Sequence, residues 1–194
     1  METWTLGDLI NIIRADMYRY NRQTGFLCLF KCARENPGFK FTCWLRICIY
    51  LVNRPIFKYF FYYWAKMVFD HYKYKFGIDM PISQKIGKGL YVGHFGGIVV
   101  GKDVTIGKNC NLSHGVTIGQ VNRGRKKVSP IIGDNVYIGV GAKVLGKITI
   151  GNNVAIGANC VVIKDIPDKA VVVGVPGKII SYKGSEGYVN NTDY

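Results

Sequence analysis

The chain has 194 residues, 48% of them apolar, enough for one good-sized core and too many for disorder to be its main state. Its formal net charge of +14 is shared evenly, with thirteen Lys/Arg against six Asp/Glu in residues 1–85 and the same in 86–194. That balance leaves no basic arm for nucleic acid, while the broad positive field favours anions such as coenzyme phosphates, acidic glycans and anionic membrane surfaces.

Residues 1–78 read as a small helical domain. Thr5 and Asp8 have capping-box spacing, Asn36-Pro37-Gly38 is a break, and Pro55 suits a helix's first turn. Segment 41–69, FTCWLRICIYLVNRPIFKYFFYYWAKMVF, is strongly apolar, but Arg46, Arg54, Lys58 and Lys66 interrupt it. No run approaches the roughly 20 residues needed to span a bilayer, so amphipathic helices are expected. Their faces are expected to meet protein, with peripheral membrane association left open. The opening METWTLGDLI lacks the pattern of a cleaved leader, and the cysteines at 28, 32, 43, 48, 110 and 160 form no paired CxxC framework. They read as reduced thiols of a cytoplasmic protein, the inner face of the membrane being the alternative site. Cys28 and Cys32 could begin a zinc site, but no second ligand pair accompanies them and no metal is expected.

Beyond Gly77 the pattern becomes a repeat of six. Aliphatic residues recur at Ile86 and Val92, at Val100, Ile106, Leu112 and Ile118, and from Ile132 through Ile138, Val144, Ile150 and Ile156 to Val162. Small or branched residues follow four places on, Cys110 and Cys160 among them. Period six predicts a parallel β-helix; in its left-handed form each hexad makes one side of a triangular prism and the aliphatic residue points inward. The predicted fold is therefore mainly β: a left-handed β-helix over 79–180, a helical domain before it and a tail at 181–194. Two residues are inserted before the Val100 hexad, and a longer loop, 120–131, leaves the coil. Insertions in solenoids become surface loops that commonly build the site.

His94 and His114 each lie two places after an inward residue, Val92 and Leu112. Coils stack at about 4.8 Å, so the two imidazoles are predicted to be neighbours on successive coils. Gly93, Gly96 and Gly97 around His94 imply close approach to the backbone there. A three-histidine zinc site is rejected, because the remaining His71 lies outside the repeat.

The stretches GFKFTCWLR, IDMPISQKIGKGLYVGHFGGIVVG, GVTIG, VYIGVGAKVLGKITIGNNVAIGANCVV and GVPGKII carry a resemblance. Over about residues 38–180 the chain resembles the serine acetyltransferase branch of the hexapeptide-repeat acyltransferases. The resemblance implies a homotrimer of left-handed β-helices binding acetyl-CoA in clefts between subunits. It makes His94 the general base, oriented by Asp79, for acetyl transfer to a hydroxyl. It places Val140 and Ala158 along the pantetheine arm and Lys164 and Lys178 at the phosphates. Arg123, Arg125, Lys126 and Lys127 are further loop cations.

The same resemblance fails where serine's charges should be held. Gly93 stands where the family has an aspartate, Val128 and Ser129 stand where an Arg-His pair grips the carboxylate, and Thr24 falls near a second ammonium-binding aspartate. Loss of such charged hydrogen bonds, about 1.5–3 kcal/mol each, favours a sugar or glycan-precursor hydroxyl as acceptor, with His114 helping to bind it. Serine O-acetyltransfer for cysteine biosynthesis is the alternative. An amino-sugar N-acetyltransferase and a non-catalytic solenoid scaffold are further ones.

Overall fold

The computed structural model describes residues 4–52, 54, 58–120 and 129–194. Helix α1 (Leu6–Asn21) opens on the expected capping box: Thr5 Oγ1 accepts the Asp8 N–H at 3.1 Å, and the Asp8 carboxylate accepts the Thr5 N–H at 2.7 Å. The Asn-Pro-Gly break separates α2 (Phe26–Glu35) from α3 (Pro37–Val52). A π-helical turn, Lys58–Tyr62, runs into α4 (Tyr63–Phe76), which Gly77 closes in the left-handed conformation at φ 61°. Pro55 lies outside the described residues. Among the described residues no helix is long and apolar enough to cross a membrane.

The repeat forms fifteen short strands: β1 (Ile78–Asp79), β2 (Lys85–Ile86), β3 (Tyr91–Val92), β4 (Ile98–Val100), β5 (Thr105–Ile106), β6 (Asn111–Leu112), β7 (Thr117–Gly119), β8 (Ile131–Ile132), β9 (Tyr137–Ile138), β10 (Lys143–Leu145), β11 (Thr149–Ile150), β12 (Ala155–Ile156), β13 (Val161–Val162), β14 (Val171–Val173) and β15 (Lys178–Ser181). They lie in three sheets, β1-β4-β7-β10-β13, β2-β5-β8-β11 and β3-β6-β9-β12-β14-β15. Pairing is parallel at every third strand as far as β13, so the chain winds as a triangular coil; β14 then pairs parallel with β12, and β15 returns antiparallel on β14. Every inward aliphatic of the repeat is buried, and Cys110 and Cys160 are fully enclosed in the small inward slots.

One corner of the prism is turned by Asn109, Asn135 and Asn153, each left-handed at φ 56–57°. Their amides form a ladder, Asn109 Nδ2 donating to Asn135 Oδ1 at 2.9 Å and Asn135 Nδ2 to Asn153 Oδ1 at 3.1 Å. The helical domain is fastened to the first coil by a buried ion pair. Arg46 of α3 donates to Asp16 of α1 at 2.9 Å and also to the carbonyls of Ile86 and Gly87, while Asp16 accepts the Leu90 N–H. Burial pushes the Asp16 carboxyl up, against the pull of Arg46. At Gly38 the helix meets β3 so closely that a Cβ would stand 2.0 Å from the Val92 carbonyl oxygen.

The tail crosses the coils. Ser185 bonds to the backbone of Asn135 and Asn153, and Tyr188 stacks on Tyr137 while its carbonyl accepts from Asn111 Nδ2. Arg19 of α1 donates to Asn190 O, Gly89 O and Asn111 Oδ1, and Tyr194 packs on Tyr18 and donates to Asn109.

Candidate active site

A second corner is made of glycine. Gly77, Gly97, Gly115 and Gly141 all have φ between 61° and 71°. They stack closely: a Cβ on Gly97 would be 3.5 Å from Gly115 Cα, and one on Gly115 would be 3.3 Å from Gly141 Cα. Glycine turns left-handed at this spacing without strain, and the next residue of the stack, Asn159, takes the same conformation at φ 54°.

His114 immediately precedes this corner, and His94 lies three residues before Gly97. β3 and β6 pair Tyr91 with Asn111 and Val92 with Leu112, so the two histidines lie on adjacent coils. Their rings are 5.9 Å apart, edge to face, and both residues are exposed. Below them the column continues through Val140 and Ala158, also exposed: Gly141 N–H donates to His114 O at 3.0 Å and Asn159 N–H to Val140 O at 2.7 Å. The Val140 carbonyl is thus already engaged. Lys164, after β13, and Lys178, at the start of β15, are exposed and have no acidic partner among the described residues.

Asp79 has a partner that the sequence reading missed. Its Oδ1 lies 2.8 Å from Lys73 Nζ, in the last turn of α4, rather than on His94. The hydrogen bond from Lys73 is the main cause that raises that lysine's pKa. The end of α4 also touches the His94 loop, with the Phe76 and Phe95 rings 5.5 Å apart and Gly77 against Gly97. Asp79 aligns with Val99 on the outer face of the sheet and is 58% exposed, so it faces solvent beside that loop.

A further lysine was missed as well. Lys143 of β10 donates to Gly115 O at 2.6 Å and to Thr117 Oγ1 at 3.1 Å, bracing the corner next to His114. Position 143 is one of many outward residues of the repeat, and nothing in its spacing marks it. A Cβ on Gly93 would press only on the Tyr91 ring, at 3.1 Å.

Ser129 is elsewhere on the chain. It precedes β8, where Pro130 O accepts the Thr105 N–H, on the sheet that does not flank His94. Val128, Arg123, Arg125, Lys126 and Lys127 lie outside the described residues. Thr24 is exposed between α1 and α2, and His71 lies on α4 against Tyr72. Among the described residues no three His, Cys, Asp or Glu side chains gather as a metal site, and Cys32 is fully buried.

A triangular parallel coil of six-residue repeats places the chain among the hexapeptide-repeat solenoids. The family model described as bacterial transferase hexapeptide (six repeats) matches residues 129–164. A serine acetyltransferase of Staphylococcus epidermidis is 40% identical over 135 residues, 70% of this chain and 63% of the relative. The chain therefore spans just under two thirds of that relative's length. A solved serine acetyltransferase in complex with cysteine matches at TM-score 0.74 and 30% identity, over 91% of this chain and 71% of its own. That of Brucella abortus strain S19 in complex with coenzyme A matches at TM-score 0.72 and 28% identity, over 92% and 68%. The chain belongs to the hexapeptide-repeat acyltransferases, in the serine acetyltransferase-like branch, and its coil is the left-handed β-helix of that family.

Proposed function

We propose that this chain is an acetyl-CoA-dependent O-acetyltransferase with His94 as its general base. The observation that carries the reading is the His94–His114 pair above the exposed Val140–Ala158 column. The neutral His94 imidazole would accept the acceptor's hydroxyl proton as that oxygen attacks the thioester carbonyl. On collapse the C–S bond breaks, and the imidazolium returns the proton to the departing sulfur. Asp79, paired with Lys73 through Oδ1 rather than with His94 in this structure, would orient His94 and stabilise the imidazolium through its other carboxylate oxygen. Val140 and Ala158 would lie along the pantetheine arm, and Lys164 and Lys178 would meet the phosphates as mobile point charges. The coenzyme supplies the activated acetyl group.

The names of the relatives support L-serine as acceptor over the sugar hydroxyl that the missing charges favoured. The sugar hydroxyl is kept as the second reading on one observation, the glycine at position 93 directly beside His94. Because Ser129 is remote from His94 within one chain, a homotrimer that brings a neighbour's loop to the histidine corner fits the site best. Release of coenzyme A thiol from acetyl-CoA, measured with L-serine, neutral sugars and sugar acids, tests the reading. Thiol release that tracks L-serine and yields an ester supports it. A product with an amide bond, or no acceptor-dependent release, overturns it.

A further inference from the structure

We infer that Lys73 anchors the carboxylate of the acceptor, an inference that rests on the acetyltransferase reading of the His94 site. An acceptor bearing a carboxylate near its reacting hydroxyl needs a cation at the histidine corner. The residues that the family resemblance assigns to this task are Val128 and Ser129, neither of them cationic. Two described lysines lie on elements that adjoin the corner: Lys143 on β10, and Lys73 in the last turn of α4, which ends at Gly77 against Gly97. The ammonium of Lys143 is turned inward onto Gly115 O and Thr117 Oγ1. Lys73 is placed differently: its ammonium is 27% exposed at the end of α4, and Oδ1 of Asp79 accepts one of its three N–H donors at 2.8 Å.

The placement of Lys73 is fixed from two sides. The Gly77 N–H bonds back to the carbonyls of Lys73 and Tyr74, locking the last turn of α4, and Phe76 rests on Phe95 beside His94. Asp79 holds the ammonium against the outer face of β1, next to Val99. A partly exposed ion pair of this kind is weak, so sharing the ammonium with an incoming carboxylate costs little. The remaining N–H groups of Lys73 then receive a carboxylate without leaving Asp79 unpaired. The same chemistry could come from an amino acid or from a sugar acid, and the acceptors in the test distinguish them.

The experiment measures acetyl-CoA thiol release by the full chain and by Lys73→Gln and Lys73→Arg. The acceptors are L-serine, L-serine amide, a sugar acid and its neutral sugar. The wild-type chain is expected to prefer a carboxylate-bearing acceptor to its neutral counterpart. Lys73→Gln should raise that acceptor's KM at least about tenfold, with kcat changed little, and erase the preference; Lys73→Arg should restore most of it. Preference for L-serine over its amide identifies an amino acid acceptor, and preference for the sugar acid identifies a glycan. An unchanged KM in Lys73→Gln, or an equal loss with acid and amide, overturns the assignment to Lys73 alone. Wild-type protein that transfers to none of the four overturns the acetyltransferase reading and this inference together.

Discussion

His94 has no hydrogen bond to another described residue, and its ring neighbour is His114, so its ring nitrogens are open to whatever reaches the corner. His94→Ala is expected to lower turnover by about 10²–10⁴-fold while leaving coenzyme affinity nearly intact. Asp79→Asn should cost less, and His114→Ala should raise the acceptor's KM more than it lowers kcat. Steady-state kinetics on the accepted hydroxyl compound checks all three; near-normal kcat in His94→Ala would remove it from the base role. Gly93→Asp tests the charge missing beside His94. The new Cβ meets only the Tyr91 ring, and the added carboxylate should lower the KM for L-serine but not for a neutral sugar. The cysteines give a chemical check on packing. Burial pushes the Cys32, Cys43, Cys48 and Cys110 thiols up to about 12, so they stay protonated at pH 8. In folded protein, mass spectrometry after brief maleimide treatment should find the label on Cys28, with the others reacting only after denaturation.

At the scale of elements, the repeat was readable because each hexad states its own inward residue and repetition cancels local ambiguity. The inward aliphatic residues from Ile86 to Val162 are buried as read, and the two-residue insertion before Val100 leaves His94 and His114 on adjacent coils. What could not be read depends on where one element meets another. Lys73 and Asp79 are six residues apart across a helix end, and only the left-handed Gly77 turn brings them together. Lys143 and Arg46 likewise take carbonyl partners that no spacing announces. The tail has neither period six nor a helical pattern, so its packing left no signal. Two junctions can be tested by substitution. Gly38→Ala drives a methyl group into the Val92 carbonyl and should destabilise the chain by about 1–3 kcal/mol or more. Arg46→Met strands a buried Asp16 and two carbonyls, and should cost about 3–5 kcal/mol in urea unfolding.

For the molecule as a whole, a site completed by a neighbour requires that the isolated chain be inactive. Sedimentation equilibrium should give three chains per particle, and dilution below the assembly constant should abolish thiol release; a stable, active monomer would dismiss the shared site. The crossing tail has a consequence of another kind. Stacked coils touch only their neighbours, so a bare solenoid frays from its ends and melts in stages. Here the segment from Ser185 to Tyr194 runs across successive coils as a batten lies across planks, joining Asn109, Asn111, Asn135 and Asn153 to α1 through Arg19. A batten forces planks to lift together. The chain should therefore lose its coils in a single sharp thermal transition, and removing residues 183–194 should broaden that transition into a stepwise one, the outer coils opening to hydrogen exchange before the inner.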